Sequence, residues 1–102
     1  MANITQQGNR WVISGAMTMP YVNVLLAEGA QLSMDKAFEI DLGDVTDVDT
    51  ATISLLFEWL RNAHVRKSKL TFANFPQNLV SLATLYGVLE LLPQAAPSQV
   101  TH

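Results

Sequence analysis

A strand-like run, Phe38-Glu39-Ile40-Asp41-Leu42, passes through a short acidic stretch into a long helical pattern that opens at Thr50. After Thr50 the apolar residues Ile53, Leu56, Phe57 and Leu60 recur at the spacing of one helical face. Asp49 and Thr50 can both accept hydrogen bonds from the free N–H groups that begin a helix, so either can cap it. A strand, a carboxylate-rich loop and a hydroxyl at a helix N-terminus define one chemical spot. It is the leading functional candidate in the sequence.

The flanking segments decide what this unit packs against. Ile4 to Ala16 reads as a β-hairpin with Gly8-Asn9 at its tip, because Trp11 and Ile13 alternate with Val12 and Ser14 after a turn signal. Met17 to Pro20 reads as a connector, with Pro20 suited to the first turn of a helix. Val22, Leu25, Leu26 and Leu32 carry a helical stripe to about Ser33, and Gly29 inside it costs roughly 1 kcal/mol relative to Ala. Ala37 to Leu42 is the next strand, Thr50 to Val65 the central helix, and Lys69 to Ala73 a further strand. Asn74-Phe75-Pro76 opens a last helix with Asn74 or Phe75 at its cap, buried through Leu79, Leu82, Ala83 and Tyr86 and ended by Gly87. Val88 to Leu92 returns to the core as a short strand or turn. The expected order is β(β)αβαβα, an α/β fold with a mixed sheet and helices packed mainly on one face. Residues 1–93 form one domain, and residues 94–102, without periodicity, read as a disordered tail.

Composition excludes several function classes. A net charge of −3 and a single basic cluster, Arg66-Lys67-Ser68-Lys69, argue against nucleic-acid binding. The chain has no cysteine, and its N-terminal residues lack the basic and apolar regions of a secretory signal. No apolar run reaches the ~18 residues of a bilayer span. A cytoplasmic protein, reaching a membrane only through a partner, is expected. No Gly-x-Ser-x-Gly elbow or Gly-rich phosphate cradle is present, and His64 falls on the core side of the central helix, so no enzyme activity and no cofactor are expected.

Asp41, Asp44, Asp47 and Asp49 crowd one segment and could hold a hard cation. Their spacing matches no EF-hand pattern, and capping accounts for carboxylates at a loop and helix start, so no metal site is assigned. Thr50 is a possible phosphoacceptor, since a phosphate there would add roughly −1.5 to −2 charge at a favourable helix N-terminus. Leu55 and Trp59 lie away from the Ile53–Leu60 stripe, near Thr52. Either Trp59 packs under a neighbouring helix of the same domain, or Leu55 and Trp59 form an exposed patch for a partner.

Asp41-Leu42 closing a strand, then Val48-Asp49-Thr50 leading a helix with Ile53 and Leu55-Leu56, resembles the signature of STAS domains. Phe75-Pro76, the Leu79–Tyr86 helix and Gly87-Val88 before Leu91-Leu92-Pro93 resemble the family's closing segment, so the likeness spans about residues 8–93. Asp49 and Thr50 take the family's Asp and hydroxyl positions; where the family usually carries Gly stand Ala51 and Thr52. The resemblance implies a non-enzymatic protein-binding domain. Asp-Thr in place of Asp-Ser, the chain length and Leu82-Ala83-Thr84-Leu85-Tyr86 are similar to the branch that binds and supports the ATPase of Mla-type lipid-transport ABC complexes, which maintain outer-membrane lipid asymmetry. In that case the partner is the ATPase subunit, with the membrane permease reached indirectly. The alternative branch comprises anti-sigma-factor antagonists, which implies an anti-sigma kinase as partner and phosphorylation of Thr50. In either branch the contact surface expected is Asp47, Asp49, Thr50, Thr52, Leu55 and Trp59.

Overall fold

The structure is a computed structural model, described for residues 2–32, 34 and 36–94. Among these residues the order is β1 (Asn3–Gln7), β2 (Arg10–Met17), α1 (Met19–Ala30), β3 (Ala37–Val48), α2 (Thr50–Val65), β4 (Lys69–Ala73) and α3 (Gln77–Leu85), then a 3-10 turn at Leu89–Leu91. The strands form one sheet in the order β1-β2-β3-β4. β1 and β2 are an antiparallel hairpin, and β2, β3 and β4 run parallel. The hairpin turns on Gly8, whose φ of 63° is the left-handed conformation that glycine adopts without a Cβ penalty.

One face of the sheet is apolar. Trp11 lies beside Ile40, and Ile40 beside Phe72, as Phe38 lies beside Leu70. These side chains, with Ile13 and Leu42, are buried against Leu25 of α1, Leu55, Leu56 and Trp59 of α2, and Leu79 and Ala83 of α3. The opposite register positions are polar: Arg10, Glu39 and Thr71 are neighbours, and Arg10 is ion-paired to both Glu39 (3.2 Å) and Asp41. Helices on one face and a charged ladder on the other match the expected layering.

Several expectations need correction. The acidic stretch after Leu42 is not a loop but the continuation of β3, which pairs with β2 as far as Met17↔Val48. Two register irregularities, between Val12 and Ser14 and between Gly15 and Ala16, each place one extra β3 residue against β2. The apolar residues therefore recur at every third position, Leu42, Val45 and Val48, and the first two are buried. The α2 stripe is also rotated from the expected one. Its buried centre is Thr52, Leu55, Leu56, Trp59 and Ala63, whereas Phe57 and Leu60 are half-buried and His64 is exposed. Met17 is no connector: it ends β2 and is fully buried.

The N-cap of α3 is Pro76, not Asn74 or Phe75. Asn74 is committed elsewhere, in the left-handed region (φ 57°) with its amide donating to Asp41. Tyr86 is 53% exposed, because α3 stops at Leu85 and the chain reverses at Gly87; Leu92 fills the core instead. The closing segment is the 3-10 turn, followed by a bridge of Gln94 to Phe72. The tail from residue 95 onward, and Ser33 at the expected end of α1, lie outside the described residues.

Candidate functional site

The parallel strands β2 and β3 end together at one edge of the sheet, at Met17 and Val48, and α1 and α2 both start there. Asp49 holds the two helix starts together. One carboxylate oxygen accepts from the Ala51 N–H of α2 at 2.9 Å, and the other accepts from the Met19 N–H of α1 at 3.0 Å. A single negative charge thus satisfies an otherwise orphaned donor in the first turn of each helix and faces both positive dipole ends. Thr52 completes the arrangement from beneath: its hydroxyl accepts from the Asp49 N–H at 3.0 Å and donates to the Met17 carbonyl at the end of β2. Thr52 is fully buried, so this hydroxyl fixes the joint between strand and helix.

Thr50 is the first residue of α2 and is exposed. Its position is set by the residues on either side, since Asp49 and Thr52 pin the turn that presents it. Met19, whose N–H binds the Asp49 carboxylate, begins α1 and is 68% exposed. On the α3 side a groove of about 390 Å³ is lined by Asp47, Val48, Asn78, Ser81, Leu82 and Leu85. The Asn78 amide ties this wall to β3 by donating to the Thr46 carbonyl at 3.2 Å, and Leu85 on the rim is 78% exposed. The pole of the domain therefore presents the exposed Thr50 at a helix N-terminus, with Met19 exposed at the adjoining start of α1 and Asp47 exposed on the groove side.

The expected contact residues divide into two sets. Asp47, Asp49 and Thr50 come together at this pole, with Asp49 half-buried and the other two exposed. Thr52, Leu55 and Trp59 do not face a partner: all three are buried. Trp59 packs edge-on against Trp11 (centroids 5.7 Å apart, planes at 87°), under α1 of the same domain, so no exposed Leu55–Trp59 patch exists. Among the described residues no three of Asp, Glu or His gather to hold a metal ion. Asp41 looks onto the open sheet face, bound by Arg10, Asn74 and the Gly43 N–H, while Asp49 is spent on the two helices. Sequence reasoning missed Met19, Asn78 and Leu85. Leu85 had a readable signal, an apolar residue off the Leu79–Leu82–Ala83 face of α3; Met19 and Asn78 had none.

Comparison with known proteins adds the family. The profile described as "Mlab, STAS domain" matches residues 2–93, and the chain belongs to that family. No curated protein sequence matches it. Among solved structures it is similar to the anti-sigma factor antagonist SpoIIAA in its unphosphorylated form, at TM-score 0.71 and 11% identity, over 97% of this chain and 91% of that one. It is similar to RsbS of Moorella thermoacetica bearing a serine-to-glutamate substitution, at TM-score 0.60 and 18% identity, over 94% and 86%. An anti-sigma-factor antagonist (STAS) domain protein of Planctomyces limnophilus aligns at TM-score 0.66 and 16% identity, over 96% and 92%. At these identities the likeness establishes the fold, a STAS-type mixed sheet.

Proposed function

We propose that this STAS domain is a non-enzymatic docking subunit that binds a protein partner through the Thr50 pole. The observation that carries the reading is the exposed Thr50 at a helix start pinned by the Asp49–Thr52 pair, with Met19 exposed at the adjoining start of α1. Exposed polar and apolar side chains at one pinned pole offer a partner both hydrogen bonds and apolar contact, and the pole offers no nucleophile–base pair. The partner in the leading reading is the ATPase of an Mla-type lipid-transport ABC complex, with the permease contacted only through it. The matching family profile is described as "Mlab, STAS domain", the branch this reading draws on, and names no partner.

The second reading is an anti-sigma-factor antagonist switched by phosphorylation of Thr50. The names of the structural neighbours favour it, as does a hydroxyl at the solvent-facing start of α2. A phosphate there would sit at a helix N-terminus but beside Asp47 and Asp49, so it would change the charge of the pole sharply. One experiment separates the readings: affinity capture of the tagged chain from its native cell in mild detergent, with bound chains identified by mass. Recovery of an ABC ATPase is the expected result. Recovery of an anti-sigma kinase, or of this chain carrying one phosphate, moves the function to transcriptional control.

A further inference from the structure

Positive charge gathers at the end of the sheet where the parallel strands begin. The Lys69 N–H donates to the Lys36 carbonyl at 2.7 Å, which sets the chain before β3 beside the start of β4. Arg66, just past α2, donates to the Leu32 carbonyl beyond α1 at 3.2 Å. All six Lys and Arg residues fall toward this end, and Asp44, Asp47 and Asp49 toward the other. Arg10 and Arg61 are ion-paired, to Glu39 and Glu58. Lys36, Lys67 and Lys69 are exposed, and among the described residues their ammonium groups have no ion-pair or hydrogen-bond partner. Glu28 on α1 shares this end, and Asp35, next to Lys36 in the sequence, lies outside the described residues.

Lys67 occupies a position better filled by glycine. α2 and α3 end in the same motif. The Lys67 and Ser68 N–H groups donate to the His64 and Ala63 carbonyls, as those of Gly87 and Val88 donate to Thr84 and Ala83. The motif turns on one left-handed residue. In α3 it is Gly87 (φ 70°), but in α2 it is Lys67 (φ 59°). Every other described residue of positive φ is Gly or Asn. A Cβ is disfavoured in this region, and Arg66 already supplies a cation to the helix C-terminus. Neither the turn nor the dipole accounts for the lysine.

We infer that Lys36, Lys67 and Lys69 form a surface that rests on an anionic lipid bilayer, a peripheral contact with no inserted segment. Lysine suits a fluid anionic surface, because its ammonium is a point charge on a flexible stem that needs no fixed partner geometry. Val65, two residues before Lys67 and 72% exposed, adds an aliphatic contact at headgroup level. Nucleic acid fits less well, since so few free cations displace few counterions. The net charge of −3 does not oppose the contact. β3 is 12 residues long, so roughly 35 Å separates the lysines from the acidic pole, several times the ~8 Å Debye length at physiological salt. The inference stands whether or not the Thr50 pole docks a partner, and it leaves that pole open.

Vesicle flotation of the full chain tests it, with vesicles of phosphatidylcholine alone or mixed equally with phosphatidylglycerol. At low salt the chain should float with the mixed vesicles only, and added salt should weaken the partition. Each lysine contributes about fivefold, so Lys36→Gln, Lys67→Gly and Lys69→Gln should each weaken the partition by about that factor. Lys67→Gly should also raise Tm by a few degrees, because it relieves the left-handed turn. Weaker binding by a more stable fold is not a folding defect. A wild-type chain that floats with neither vesicle or equally with both, or a Lys67→Gly variant that partitions as wild type does, overturns the inference. Retention on a DNA duplex or on polyglutamate without vesicle binding overturns it as well.

Discussion

Gly29 offers a sharp test of the packing, because helix propensity and core geometry predict opposite signs. It lies within α1, and propensity alone says that Gly29→Ala stabilises the chain by about 1 kcal/mol. The structure says otherwise. A Cβ at this position would stand 2.9 Å from Nε1 of Trp59 and 3.2 and 3.4 Å from ring carbons of Trp11. Neither indole can retreat: both are buried, and they brace each other edge-to-face. Overpacking of this kind costs about 1–3 kcal/mol. Set against the propensity gain, the net is a loss of about 1 kcal/mol, or a fall in Tm of roughly 4–8 °C for a domain of this size. Thermal unfolding followed by circular dichroism reads it directly. The Trp59→Phe background sharpens the assay. It removes the nearest atom and lets the introduced alanine recover much of its propensity advantage, a coupling that a double-mutant cycle measures. A Gly29→Ala variant more stable than wild type by the full propensity gain would refute the close α1–α2 contact.

Other perturbations probe the joint beneath Thr50. Thr52→Val keeps the shape but strands the Met17 carbonyl and the Asp49 N–H, so urea unfolding should show a loss of about 1–3 kcal/mol. Asp49→Ala removes the acceptor shared by α1 and α2 and should cost about 2 kcal/mol in the same assay, the upper end for a single cap, whereas Asp49→Asn keeps one acceptor but turns its NH2 to the other N–H donor and should cost about 1 kcal/mol. Leu85→Ser, at an exposed rim position, should leave Tm unchanged within error and weaken partner binding about fivefold in calorimetric titration.

Much of this architecture is legible in the sequence because its signals are local. The Gly8-Asn9 turn marks the hairpin, Pro20 the start of α1, and Asp49-Thr50 the start of α2 at the residue where the structure begins it. The second half of β3 is hidden for a physical reason. Its two bulges convert the alternation of a half-buried strand into apolar residues at every third position, and the two Asp residues among them, Asp44 and Asp47, read as a solvated loop. The α2 stripe is misplaced because its first member is Thr52, a polar residue whose burial is possible only through the Met17 carbonyl, a partner distant in sequence. With Thr52 excluded, Leu55 and Trp59 look stranded off the core face, although they form its centre. Thr50 and Asp49 as the site are legible through the capping pattern. Met19 joins them only because Asp49 reaches across to α1, a contact no periodicity encodes.

The central claim is that the Thr50 pole is the docking surface. The most direct measurement is the affinity of the partner recovered by affinity capture for wild type, Thr50→Glu and Lys67→Glu, a control in the exposed turn before β4 at the opposite end of the sheet. Thr50→Glu should weaken binding about tenfold, equivalent to ~1.4 kcal/mol, with Tm retained, and Lys67→Glu should bind as wild type does. Unchanged affinity for Thr50→Glu, or an equal loss for Lys67→Glu, would contradict the account.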